Sequence, residues 1–305
     1  MDTKSNVMVS IIMNCYNSER FLKEAIDSIY AQDFNNWEII FWDNRSTDSS
    51  AEIAKSYDSR LKYYLADKHT VLGAARNSAL SKAKGKYIAF LDCDDSYLPN
   101  KLRIQVNLME NYRFALSYGS AIIMDESGTE IRRESVSYKS GDVFSNLLDR
   151  YEINMQSVMI RREILQKEKL NFDKTMKYCP DYKLFMEISS KFKVGVLQKF
   201  VVKYRLTSNS LSKKTIDIAS SEVKYALNDI FNNSPKLKKM YPKQVRLAYG
   251  KLHYYDAIVA LTNNHRITAI RYIGKIKYQR WQYFFLYIVL FSPISDSLIL
   301  RLLRR

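Results

Sequence analysis

The chain has 305 residues, 47% hydrophobic and 26% charged, with only 8 Gly and 5 Pro. Those figures suit a globular protein with one large domain and a smaller annex, or with two domains, and they exclude collagen-like and Gly/Pro-rich low-complexity structure. The net charge of +16 is uneven, because 14 Lys or Arg against 2 Asp between Lys236 and Arg305 leave only +4 to the other 235 residues. That basic quarter needs a local cause: an anionic membrane surface, nucleic acid or an anionic substrate. Three widely spaced cysteines, Cys15, Cys93 and Cys179, have neither metal-ligand spacing nor the even number of a disulfide framework, and fit a reducing cytosol.

Residues 7–13 (VMVSIIM) are apolar almost throughout, as in an interior parallel strand. The run lacks the basic leader and small-residue cleavage site of a secretory signal. Ser18 is a candidate cap for a helix over 19–32, with Phe21, Leu22, Ala25, Ile26 and Ile29 on one face. A second strand is expected at 37–42 (WEIIFW), a turn-rich segment at 43–50, a short helix at 51–56 and a third strand at Leu61–Leu65. A helix over 74–83 and a strand over 87–91 complete the alternation that predicts an open, mostly parallel α/β sheet. Ligands bind such sheets at the carboxyl ends of the strands, so the polar clusters at 43–48 and 92–95 should share one edge. Beyond them come a helix at 99–111, strands at Leu116–Met124, 156–160 and 194–204, and helices at 162–168 and 182–191. From about 216 only helical periodicity remains, at 220–231, 243–261 and Arg266–Ile276.

Asp92-Cys93-Asp94-Asp95 is the sharpest feature. Three carboxylates in four residues repel one another unless a cation neutralises them or some of them cap a helix. Hard divalent cations take oxygen ligands and often bind through one or two carboxylates plus substrate phosphates. The cluster by itself equally suits a solvated turn before the helix near Pro99. Its flanking acids should raise the Cys93 thiol, which reads as a small filler.

The segments SIIMNCYNSERFLKEAIDSIYAQDFNNWEIIFWDNRSTDSS (10–50) and GAARNSALSKAKGKYIAFLDCDDSYL (73–98) resemble the family 2 glycosyltransferases, which have a GT-A fold, and the likeness covers about residues 7–212. The resemblance implies a GT-A catalytic domain over 1–212, with a nucleotide-sugar half over about 1–100 and an acceptor half over 101–212, followed by a basic helical annex over 213–305. It implies that Asp94, with Asp92 beside it, holds Mn²⁺ or Mg²⁺ against the donor diphosphate, while Asp95 is structural. Arg76 lies in the stretch that approaches the diphosphate, and Asn17, Asp43 and Asn44 lie at strand ends that hold the nucleotide. Asn44 stands where the family commonly has a second aspartate that accepts from uracil N3–H; an amide oxygen can accept the same bond.

FDKTMKYCPDYKLFMEI (172–188) resembles the segment carrying the family's catalytic base, usually an acidic pair. Here the pair is Pro180-Asp181, so Asp181 alone fits the base that deprotonates the acceptor hydroxyl, although by itself it also suits a helix N-cap. YRLTSNSLS (204–212) keeps Arg205 as a phosphate contact and has Thr207 where the family often has a metal-binding His.

Residues 281–303 (WQYFFLYIVLFSPISDSLILRLL) are interrupted by Ser292, Pro293, Ser295 and Asp296, too short a run for a spanning helix of about 20 residues. Aromatic residues beside Lys275, Lys277, Arg280 and the terminal arginines suggest a segment lying in a membrane interface; packing on the core or on a second copy is the alternative. The expectation is an inverting, metal-dependent transferase acting from a nucleotide sugar (UDP-linked) on a glycan or lipid-linked acceptor, cytoplasmic and peripheral on the inner face of the membrane, with no nucleic-acid partner. A catalytically inactive scaffold and a basic nucleic-acid binder are the competing classes.

Overall fold

The structure, a computed structural model, describes residues 7–207, 210 and 214–303. Residues 208, 209, 211 and 212 of the YRLTSNSLS motif, the expected domain boundary at 212/213, and Arg304–Arg305 lie outside the described residues. The first compact unit takes residues up to Phe144 and Glu152–Ser208, and the second takes Ser145–Tyr151 and everything from Asn209.

In the first unit the apolar runs become β1 (Val9–Cys15), β2 (Trp37–Asp43), β3 (Leu61–Leu65) and β4 (Tyr87–Phe90), all parallel, in the order β3-β2-β1-β4. Both faces of β1, β2 and β4 are covered, which is why these segments read as continuous rather than alternating hydrophobic runs. α1 (Glu19–Tyr30) buries Leu22, Ala25, Ile26 and Ile29, four of the five residues expected on its apolar face. α2 (Ser50–Lys55) and α3 (Leu72–Leu80) complete the crossovers. β1 starts two residues later than expected, and its one polar residue in the apolar run, Ser10, is buried with its hydroxyl donating to Glu38 Oε1 at 2.6 Å.

The sheet then changes character. Beyond β5 (Ser96–Tyr97) and α4 (Lys101–Tyr112) lie β6 (Leu116–Met124), β7 (Glu130–Glu134), α5 (Phe144–Asp149), β8 (Met159–Arg161), α6 (Arg162–Lys167), α7 (Pro180–Lys191) and β9 (Val194–Arg205). β8 joins β4 and β6 antiparallel, β6 and β9 pair in parallel, and β5 closes antiparallel on β9. The sheet is therefore mixed: β3-β2-β1-β4 is an all-parallel run, and one further parallel pair, β6 with β9, lies among antiparallel neighbours. β7 gave no hydrophobic signal because nearly all of it is exposed; backbone pairing with β6 alone makes it a strand. The strand expected at 156–160 begins instead as a 3₁₀ turn, Met155–Ser157; the chain is extended from Val158, and Met159–Arg161 forms the strand.

In the second unit, helices Ala219–Asn233, Pro235–Met240, Pro242–Thr262, Arg266–Ile276, Trp281–Val289 and Asp296–Leu303 follow one another. A separate apolar core of Ala257, Leu261, Ile273, Leu286, Leu290 and Ile299 holds its last helices together. Among the described residues no helix is long and apolar enough to cross a membrane.

Candidate active site

β1, β2 and β4 run in register in one direction, so Asn17, Asp43–Asn44 and Asp92–Asp95 all follow carboxyl strand ends on one edge. Asn17 sits at φ 49°, a left-handed conformation that Asn tolerates. Its Oδ1 accepts from the Thr47 amide at 2.8 Å, and its own amide donates to Ser46 Oγ at 3.1 Å. Asp43 is buried; its carboxylate accepts from the Ser46 amide at 2.7 Å and from the Tyr63 hydroxyl at 2.6 Å.

Asn44 behaves differently from expectation. Its Nδ2 donates to the Thr70 carbonyl at 2.8 Å, and its Oδ1 accepts from the Thr70 amide at 3.0 Å and from Thr70 Oγ1 at 3.3 Å. The amide is committed at both ends to tying the 43–48 turn to the loop before α3, and its oxygen already holds two donors.

Asp92 is clamped. Gln156 Nε2 donates to Asp92 Oδ2 at 2.6 Å while Gln156 Oε1 accepts the Asp92 amide at 2.9 Å. The other oxygen accepts from Arg76 Nη2 at 3.2 Å. Arg76 is itself only 4% exposed and lies over the Phe172 ring at 5.5 Å. No motif pointed to Gln156, because it arrives from a turn 64 residues away. Gln156→Leu is expected to cut apparent metal affinity or kcat/KM by about 10–100-fold, as loss of a carboxylate-orienting partner does. Gln156→Glu, which sets a like charge against Asp92, should be worse than Leu; a metal titration of both variants against wild type checks this.

Asp94 forms no salt bridge among the described residues; burial, then the charge of Asp92, push its carboxyl up to about 6. Asp95 is buried, and burial followed by the Asp94 charge pushes it well above the usual carboxylate range. Its Oδ1 accepts the Arg205 amide at 2.7 Å, and its Oδ2 has no hydrogen-bond partner among the described residues.

Arg205 was expected to contact phosphate. Its guanidinium instead donates to the carbonyls of Asp94 at 2.9 Å and Glu126 at 3.2 Å and to Glu24 Oε2 at 2.6 Å, and it lies 4.4 Å from the Phe21 ring centroid. Only 2% of its side chain is exposed, so its donors serve to hold the acidic loop against α1.

Pro180 and Asp181 open α7, where proline's missing N–H costs nothing. Asp181 is half-buried. Burial raises its carboxyl; the Arg76 charge and the amides of Asp181 and Tyr182 lower it, and the Asp92 charge raises it. The fold therefore brings Asp181 within electrostatic range of Arg76 and Asp92, about 90–105 residues away in sequence. Gly73 lets α3 approach this segment, because a Cβ there would meet the Asp173 carbonyl oxygen at 2.3 Å.

Cys93 is buried and donates to the Asn14 carbonyl at 3.4 Å. Its thiol is raised, chiefly by its contact with Cys15 and by burial, with the flanking acids adding less.

Among the described residues no three His, Cys, Asp or Glu side chains gather as a closed metal cage. The donor set fits an open site for a hard cation: an all-oxygen pair, Asp92 and Asp94, with the charge on Asp94 not neutralised by an ion pair. Such a site takes its remaining ligands from substrate phosphates and water.

The model of glycosyl transferase family 2 matches residues 10–170. An uncharacterized glycosyltransferase of Rickettsia felis is 32% identical over 290 residues, covering 88% of the chain but 46% of the relative, so the chain spans about half of that protein's length. The UDP-Glc:alpha-D-GlcNAc-diphosphoundecaprenol beta-1,3-glucosyltransferase of Escherichia coli is 29% identical over 211 residues, 67% of the chain and 79% of the relative. The fold matches the mannosyltransferase of Pyrobaculum calidifontis, solved with GDP-Man and Mn²⁺, at a TM-score of 0.60 and 16% identity, over 96% of this chain and 78% of that one.

Proposed function

The chain belongs to glycosyl transferase family 2 and has the GT-A fold, and on that premise we propose that it transfers a sugar, with inversion, from a UDP-sugar to a hydroxyl of a glycan or lipid-linked acceptor. The observation that carries this reading is the convergence of Arg76, Asp92 and Asp181 at the carboxyl edge of a parallel sheet. The E. coli relative's UDP-Glc donor and lipid-linked acceptor support the substrate classes, and its beta linkage supports the inverting course.

In this mechanism Arg76 pairs with a diphosphate oxygen of the donor, a charge-assisted contact made stronger by the nearly dry surroundings of its guanidinium. Gln156 keeps Asp92 oriented, and the Arg205 tether keeps the 92–95 loop in place. Mn²⁺ or Mg²⁺, held by Asp94 and Asp92, supplies positive charge against the diphosphate when bound. Asp181 accepts the proton of the acceptor hydroxyl as that oxygen attacks the anomeric carbon. The bond to the diphosphate breaks on the opposite face, and the nucleoside diphosphate leaves with the bonding electrons. Asp43 and Asn17 shape the nucleotide edge; Asn44 does so through Thr70 rather than by direct contact with the base. The second unit serves as the part that meets the inner face of the cell membrane.

A panel of nucleotide sugars, offered with membrane extract as acceptor and Mn²⁺ or Mg²⁺, tests the reading. Consumption of a UDP-sugar with release of UDP is expected. Binding without turnover points instead to an inactive scaffold, and no donor binding at all overturns the proposal.

A further inference from the structure

Helix Trp281–Val289 is the most apolar of the second unit, yet its largest residues face outward. Leu286 goes into the core, while Trp281, Phe284, Phe285 and Ile288 are exposed, Trp281 by 74% and Phe285 by 62%. Their spacing of three, four and seven residues puts them on one face. Tyr278, 83% exposed, and Phe291, 65% exposed, continue the patch at either end of the helix. A run of large apolar side chains of this kind marks a contact surface.

Charge identifies what the surface fits. Between Asp256 and Asp296 the chain has no acidic residue and five basic ones, Arg266, Arg271, Lys275, Lys277 and Arg280. Two of these are used inside the unit, Arg266 on Asp296 and Arg280 on Asp149. Lys277 lies beside the patch, its Nζ 5.1 Å from the Tyr278 ring centroid and 4.5 Å from that of Tyr287. A second copy meeting this face about a twofold axis would set the same cations against one another. An anionic bilayer answers both halves of the surface: aromatic side chains enter the boundary of headgroups and acyl chains, and lysines meet the lipid phosphates.

We propose that Trp281, Phe284, Phe285, Ile288 and Phe291, with Lys277 beside them, form a face that docks flat on an anionic phospholipid surface. The proposal deepens the membrane contact in the functional reading and names the residues and lipid class that make it. The helix lies along the surface and does not cross it.

The test is co-sedimentation of the full chain with phosphatidylcholine vesicles, with and without phosphatidylglycerol, at low and high salt. Binding is expected only with phosphatidylglycerol present and should weaken as salt rises. Trp281→Ser with Phe285→Ser, and separately Lys277→Glu, should each lower the partition coefficient by about 10-fold. Thermal melts establish that both variants are folded, and binding of UDP-glucose, a donor-site readout, should match wild type. Vesicle binding that ignores charge or is unchanged in both variants overturns the proposal. So does a change of oligomeric state in the Ser variant with lipid binding retained, since that assigns the face to a second copy. Lipid binding that holds while no nucleotide sugar binds overturns the enzymatic reading and leaves this one standing.

Discussion

Asp181→Asn is expected to lower kcat by about 10²–10⁴-fold, the usual worth of a general base, with UDP-sugar binding nearly unchanged. The isosteric amide keeps the helix start but cannot take a proton. A residue that merely ended α7 would lose little, because Asn caps helices as well as Asp does. Burial raises the Asp181 carboxyl above its ordinary value of 3.8, and the base works only when deprotonated. The wild-type rate should therefore rise with pH through that raised value, and the variant's residual rate should lack the limb. Stability runs the other way. With the folded carboxyl raised, the native state keeps a proton that the unfolded chain has lost, so stability falls as pH climbs from about 3.8 through the folded value. Asn removes that penalty, and the variant should melt higher than wild type at neutral pH. A slower enzyme that is more stable is the joint signature; a pH–rate profile and a thermal melt measure its two halves.

Asp94→Ala is expected to cost about 10³-fold or more in turnover with the metal present, because it removes charge stabilisation at the leaving diphosphate. Chelation of wild type should give a comparable loss, reversed by added Mn²⁺. With the Asp94 carboxyl pushed up to about 6, protons compete with the cation, and apparent metal affinity should fall by about tenfold per pH unit below that value. Mn²⁺ titration in the presence of UDP, at pH 5 and at pH 7.5, separates this from a general loss of fold. Turnover indifferent to chelation would remove the metal from the scheme and leave Arg76 as the main charge facing the diphosphate.

The site was legible in the sequence to different depths. Asp92 and Asp94 stand out because carboxylates clustered after an apolar strand are chemically conspicuous wherever they occur, whereas Asp181, by itself as good a helix cap as a base, is marked only by the family resemblance of its segment. Gln156 and Glu24 were not, since a lone amide or a lone acid on a helix face carries no local pattern. The motif around Arg205 points to a phosphate contact, yet its fork closes on Asp94, Glu126 and Glu24. The Asn44 amide oxygen can by type accept a bond from a base, and in the fold Thr70 holds the amide at both ends. In both cases residue type was informative and partner choice was not.

Local chemistry settled the alternation of strand and helix over the first hundred residues, because apolar runs of strand length broken by polar turns leave a backbone few other ways to satisfy its hydrogen bonds. It also settled the carboxyl-edge position of the acidic cluster, which follows from parallel direction alone. Tertiary structure decided the rest. The antiparallel return of β8 and β5, and the exposed strand β7, depend on ladder pairing between segments that carry no shared pattern. The raised carboxyls of Asp94 and Asp181 depend on burial, which no run of residues encodes by itself. The outward aromatic face at Trp281–Val289 follows the same rule: periodicity shows that a helix has two faces, and only packing shows which one is left uncovered.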